Sequence, residues 1–210
     1  MKFETNIFIN CPFDKGYRPM LKALVFGIVY LDYSPQLSQT TNAADTRISV
    51  IQHLIENSKY SIHDLSRMAS QKKGELARFN MPFELGMDIG CRRFGEPHHR
   101  EKCMFILDQE NYRYQRSLSD LAGSDIGSHG NDPLRALKEI RNWIRKFDNR
   151  HIDSARKIWR MYIEFSGDLE QIALKNELDT DDLEEMPWDE YCYYIQEWLL
   201  FKRNPKKVRA

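Results

Sequence analysis

The chain of 210 residues carries 31 Lys plus Arg and 31 Asp plus Glu, so its zero formal charge creates no overall field toward nucleic acid or an anionic membrane. That length buries a sizeable core and suits one α/β domain with an appendage. Cys11, Cys91, Cys103 and Cys192 are widely spaced and form no CxxC pair, so neither a zinc ribbon nor a disulfide scaffold is indicated and reduced thiols fit best.

In chain order, residues 6–10 form a β-prone run, Ile7, Phe8 and Ile9, that stops at Cys11-Pro12, where proline ends a ladder. Residues 17–31 carry Met20, Leu21, Leu24, Val25, Ile28 and Leu31 at helical spacing, an apolar stripe able to lie on a sheet. A weak second strand is expected over 33–38. A helix follows over 45–57, with Ile48, Ile51, Leu54 and Ile55 inward. Residues 59–65 read as a third strand, leading into a mobile polar connection through 70–74. Asn80 then precedes Met81-Pro82, where proline's missing N–H suits the first turn of a helix running to about Arg93. Residues 102–107, KCMFIL, are a continuous apolar run expected of a strand covered on both faces.

Residues 112–130 mix aromatic, small and polar types, with Gly123, Gly127 and Gly130 breaking any long period. Asp132-Pro133 opens an amphipathic helix with Asp132 as N-cap. Helices over 154–174 and 188–201, rich in Trp and Tyr, complete the chain, and the basic residues Lys202, Arg203, Lys206, Lys207 and Arg209 read as a frayed solubilising tail. Four βα-like units in series imply a flavodoxin-like, doubly wound parallel α/β sheet of about five strands, with a C-terminal helical appendage. The expected division is an α/β domain over 1–148 and a helical extension over 149–210, packed on that domain or on a partner. The N-terminus has too short an apolar stretch for a signal peptide, and no membrane-length apolar run follows, so a soluble cytoplasmic protein without membrane or nucleic-acid partners is expected.

In such a sheet, ligands bind outside the carboxyl ends of the strands, where helix N-termini point free N–H groups. Cys11 and Asp14 follow the first strand, His63 and Asp64 end the third, and Asn80 and Glu84 stand at the next helix start. Glu84 has two readings: a first-turn carboxylate favoured by the helix dipole, or a group projecting into the crevice to stabilise an oxocarbenium-like centre, attack a sugar carbon or orient water. Asp88, one turn later, either raises the pKa of Glu84 or is solvated beside it. Asp64 either accepts hydrogen bonds from ribose hydroxyls or caps the turn at Ser66. Arg47 meets a phosphate or, more simply, pairs with an acidic neighbour. His63 and Asp64 are adjacent on a strand and point to opposite faces, which argues against a Ser-His-Asp hydrolase. His98-His99 lacks a metal-ligand pattern, and neither GxxxxGK[ST] nor GxGxxG is present. Arg113, Gln115, Arg116, Asp120 and Asp125 could close over a base or phosphate, or serve a structural lid or dimer contact.

The segments NIFINCPFD, KYSIHDLS and NMPFELGMDIG resemble the TIR-like and nucleoside 2-deoxyribosyltransferase-like superfamily, mainly over residues 6–108. Bacterial TIR-type domains acting on NAD often carry N-x-x-F-E-L-G at a helix start, and deoxyribosyltransferases have a related F-E-x-G stretch. The resemblance implies Glu84 as the catalytic residue, Asn80 to Gly86 as pocket-shaping, and Asp64 as the strand-end ribose contact. The substrate-binding candidates are thus Cys11, Phe13, Asp14, Arg47, Asp64, Asn80 and Asp88. RFNMPFELG, YRYQRSLSDLAGSDI and YSIHDLSR also look like a group of bacterial proteins without an assigned activity, over most of 5–147. The loop CPFD departs from the Ser-rich TIR pattern, and 112–130 has no counterpart.

The resemblance implies a nucleotide N-glycosidase cleaving the nicotinamide–ribose bond of NAD, with NAD as substrate, no cofactor and no metal, in a setting of bacterial defence or stress signalling. The alternatives are a non-catalytic nucleotide-binding or self-associating module, a homo-oligomer included, and a nucleoside deoxyribosyltransferase.

Overall fold

The computed structural model describes residues 3–39, 46–68, 78–121, 124–175 and 177–203. Asp45, the connection at 70–74, Gly123 and the distal basic residues Lys206, Lys207 and Arg209 lie outside the described residues.

Five strands form one parallel sheet: β1 Asn6–Asn10, β2 Ser34–Gln36, β3 Tyr60–Asp64, β4 Cys103–Asp108 and β5 Asp125–Ser128, in the order β2-β1-β3-β4-β5. The helices are α1 Arg18–Tyr30, α2 Arg47–Glu56, α3 Asn80–Phe94, α4 Pro133–Ile144, α5 Ala155–Lys175, α6 Thr180–Glu185 and α7 Trp188–Arg203. This is a doubly wound α/β fold. Strand alternation sorts its two cores: Ile7 and Ile9 enter the large cluster with α1 and α4, while Phe8 between them meets Ile51 and Ile55 of α2. On β4, Phe105 and Leu107 take the first side; Ile106 takes the second, with Leu85 of α3.

Helix starts follow local chemistry. Thr46 caps α2 by accepting from Ser49 N, and Asp132 caps α4 by accepting from Leu134 N and Arg135 N. In α3, Asn80 is itself the first helical residue, Phe79 precedes it without a side-chain cap, and Pro82 still falls in the first turn. Ile48 of α2, expected inward, is 40 % exposed, because Val50, Ile51 and Ile55 define the buried arc and Ile48 lies at its rim.

The fifth strand comes from the segment that the sequence leaves irregular. Its residues, DIGS, hold a single large apolar side chain, too little to announce a strand by period. Gly127 is there for close approach: a Cβ at that position would lie 2.8 Å from Phe105 Cζ and 2.9 Å from Glu139 Cβ. Gly127→Val is accordingly expected to cost about 1–3 kcal/mol by overpacking, read as a lower urea midpoint.

The C-terminal helices join the large core. The Phe26 ring of α1 meets Tyr162 and Phe165 of α5 at 5.5 and 5.4 Å, and Trp198 of α7 at 6.2 Å between centroids. Lys202 and Arg203, expected in a frayed tail, are engaged instead: Lys202 pairs with Glu164, and Arg203 lies 2.8 Å from Asp32 and over the Tyr30 ring. Among the described residues no helix is long and apolar enough to cross a membrane.

Candidate functional site

The strand order reverses at β1. The chain leaves β1 through α1 to β2 on one side and returns through α2 to β3 on the other, and in doubly wound sheets the ligand crevice lies at such a switch point, here outside the carboxyl ends of β1 and β3. β1 delivers Asn10 and Cys11 to this edge, β3 delivers His63 and Asp64, and the start of α3 brings Asn80 and Glu84.

Glu84 is only 7 % exposed, and among the described residues its carboxylate has no hydrogen bond or ion pair. Burial pushes its pKa up to about 7, against the pull of the Arg47 guanidinium from the start of α2. Among the described residues Arg47 makes no ion pair at contact distance; it is exposed and acts on Glu84 through its field. Asp88 plays no part in raising Glu84 and is not solvated, contrary to both sequence readings.

Asp88 is fully buried and faces β3. His63 Nδ1 accepts from Asn10 Nδ2 at 3.0 Å, which leaves its Nε2–H to donate to Asp88 Oδ2 at 2.9 Å. Asp88 Oδ1 lies 3.1 Å from Lys102 Nζ, itself fully buried and donating to the Ile55 and Ser58 carbonyls at the end of α2. Burial works against the Asp88 charge, yet His63 and Lys102 hold its pKa below the usual value. Asn10 Nδ2 also donates to Met81 O at 2.8 Å, tying β1 to the first turn of α3. The network therefore seats the helix that carries Glu84, and Asp88, with no exposure, faces Lys102 and His63 rather than the surface.

Asp64 is the mirror case on the other face of β3. Its Oδ1 accepts from Ser66 N at 2.8 Å and its Oδ2 from the Tyr17 hydroxyl at 2.5 Å, while His129 Nε2 lies 3.2 Å from Oδ2 without the alignment of a hydrogen bond. Burial opposes its charge, but His129, Ser66 and Tyr17 keep its pKa lowered. With no exposure and both oxygens engaged, Asp64 is the turn cap of the sequence reading; a ribose hydroxyl would have to displace Tyr17 or Ser66 to reach it. His63 and Asp64 do point apart, each in its own His–Asp pair.

Cys11 is 4 % exposed, and burial, then the charges of Asp64, Glu84 and Asp14, push its thiol well above its ordinary pKa. It is an uncharged wall of the crevice near Glu84. Phe13 is half-buried against the large core. Asp14 accepts from Tyr17 N at 3.1 Å and lies 3.4 Å from Arg78 and 4.0 Å from Arg67, so two guanidiniums flank the loop after β1. Asn80 is exposed at the rim.

The sequence reading missed Asn10, Tyr17, Arg67, Arg78, Lys102 and His129. Lys102 had a usable signal, a lysine set flush against the buried run CMFIL; the others are polar residues at element ends, indistinguishable there from solvated ones. Two residues of the segment expected to close over a base or phosphate, or to form a structural lid or dimer contact, have partners within the fold. Arg113 donates to Asp108 Oδ1 from Nε at 2.9 Å and to the Leu65 and Ser66 carbonyls from Nη2, stapling the ends of β3 and β4. Asp125 pairs with Lys146. His99 is structural, its Nδ1 accepting from Glu96 N and its Nε2 facing Glu56 O at 3.1 Å. Among the described residues no group of three or more His, Cys, Asp or Glu is gathered for a metal.

No protein-family model, curated protein or solved structure matches the chain.

Proposed function

We propose that the protein is a nucleotide N-glycosidase that cleaves the nicotinamide–ribose bond of NAD, with Glu84 as its catalytic residue. One observation carries the reading: a carboxylate without protein partners among the described residues, buried at the switch point of a doubly wound sheet, where ligands of such sheets bind. Elsewhere in this edge the buried carboxylates have partners: Asp64 has Tyr17, Ser66 and a nearby His129, Asp88 has His63 and Lys102, and Asp108 has Arg113. Burying Glu84 unmatched costs stability, and such a cost persists where a ligand repays it.

The missing partner would be cationic. The pyridinium-ribosyl end of NAD is positive, and its approach in a low-dielectric crevice favours the ionised form of Glu84. As the C1′–N bond breaks, its electron pair neutralises the pyridinium nitrogen, so nicotinamide leaves without being protonated. Positive charge then develops on the ribose, opposite the carboxylate, which stabilises it and takes a proton from the water that attacks C1′. The products are nicotinamide, ADP-ribose and a proton. Arg67 and Arg78 beside Asp14 provide cationic groups suited to the pyrophosphate. The nucleotide is a substrate here, and the setting in bacterial defence or stress signalling rests on the family resemblance alone.

The test is product chromatography of wild type and Glu84→Gln, over a range of protein concentrations, with NAD and separately with a deoxynucleoside plus an acceptor base. Nicotinamide release that disappears in the variant is the expected result. Base exchange would replace the reading by the deoxyribosyltransferase, and intact NAD at high protein concentration would overturn catalysis in favour of a binding module.

A further inference from the structure

Charge in this protein is balanced overall but segregated in space. On the α3 face of the sheet, a groove of about 830 Å3 is lined by Ile89, Arg92, Arg93, Phe94, Arg100 and Met104. Among the described residues none of the three guanidiniums has an ion-pair partner. The neighbouring carboxylates are committed: Glu96 closes a capping box with His99, and Glu101 pairs with Lys59 at 2.9 Å. Phe94 stands 86 % exposed at the same place, a large apolar side chain without cover.

The complementary surface belongs to the same chain. From Glu177 to Glu190, eight of fourteen residues are Asp or Glu, and no Lys or Arg occurs between Lys175 and Lys202. This stretch includes α6, held against α1 by Arg18 donating to Met186 O and Lys22 donating to Leu183 O. Asp181, Glu184, Glu185, Asp189 and Glu190 remain exposed. α1 and α3 cover opposite faces of the sheet, so one molecule cannot bring its acidic stretch to its own arginine groove.

We infer that the Arg92–Arg93–Arg100 groove receives the acidic α6 region of a second copy of this chain, with Phe94 as the apolar anchor of the contact. Because the two patches differ, the contact is heterologous: every copy keeps a free groove at one end and a free acidic face at the other, and growth ends only if the rotation closes a ring. Opposed charges of this kind act chiefly on encounter and specificity, while a desolvated aromatic supplies much of the holding energy. This inference does not depend on the catalytic reading.

The experiment is sedimentation of the full chain over a wide concentration range, at about 0.05 M and about 0.5 M salt, where screening lengths differ roughly threefold. Wild type is expected to grow in mass with concentration at low salt and to return to monomer at high salt. Arg92→Glu/Arg93→Glu and Asp181→Lys/Glu190→Lys should each be monomeric alone at low salt, and mixing the two should restore association, because each supplies the sign that the other has inverted. Mixing keeps the test sound where a single variant loses association through a folding defect. Phe94→Ala should weaken association at least tenfold. A wild type that stays monomeric at low salt, whether because the groove serves another acidic protein or no partner, would overturn the inference, as would association that survives both reversals or two folded variants that fail to combine.

Discussion

Glu84→Gln is expected to abolish nicotinamide release, by about 10³-fold or more, while making the folded protein more stable at neutral and alkaline pH. The first half follows from removing the charge opposed to the developing oxocarbenium and the base for water, each worth factors of about 10² to 10⁴. The second follows from linkage. The Glu84 pKa rises from 4.5 to about 7 on folding, so between these values the native state binds more protons than the unfolded chain, and stability falls as pH rises through that window. Above pH 7 the full penalty is present. Glutamine, which carries no charge, escapes it, and the gain at pH 8 is expected to be about 1–3 kcal/mol, vanishing near pH 4. Thermal or urea unfolding at the two pH values reads this directly. A residue kept only for structure would give the opposite sign, a variant less stable than wild type. The same titration should govern turnover: kcat/KM for NAD should rise through about pH 7 as free Glu84 ionises, whereas the acidic limb of kcat should move lower, because bound pyridinium favours the carboxylate. A kcat/KM flat from pH 5 to 9 would remove Glu84 from the chemistry.

The parts of this fold legible in the sequence were those whose physics is local. A buried parallel strand is a continuous apolar run, and NIFIN and KCMFIL announce β1 and β4 without reference to anything distant. A helix start needs only a cap or a proline, and Asp132-Pro133 supplies both. β5 stayed hidden because its glycine is demanded by Phe105 and Glu139, neighbours the chain brings in only after folding. The site divides the same way. Glu84 could be singled out at its helix start, and β-strand alternation separated His63 from Asp64. That Asp64 and Asp88 are internally matched, and Glu84 is not among the described residues, depends on His129, Tyr17 and Lys102, which lie on other elements. Three carboxylates that looked alike in the sequence are told apart only by partners distant along the chain.

Lys102 is where that distant matching can be tested by stability. Lys102→Met removes the cation from a pair in which neither side chain is exposed, and it leaves the Ile55 and Ser58 carbonyls without their donor. The expected loss at pH 7 is about 3–5 kcal/mol, because a buried carboxylate left partly uncompensated costs more than the pair contributed while intact. In wild type the sign is the ordinary one for a lowered carboxylate: Asp88 supports the fold above the unfolded pKa, and that support is lost as pH falls through the lower folded value. Without Lys102 one of the charges that lower the Asp88 pKa is gone, so that pKa rises relative to wild type and the variant's deficit should shrink toward acid pH as Asp88 takes up a proton. Asp88→Asn in the Lys102→Met background should recover part of the loss at pH 7, a coupling measurable by a double-mutant cycle. Additive losses, or a deficit constant with pH, would mean that Lys102 acts through packing rather than charge. Because this pair seats α3, the same variant should also slow Glu84-dependent turnover well below the unfolding midpoint, whereas the double variant should regain part of that rate along with its stability.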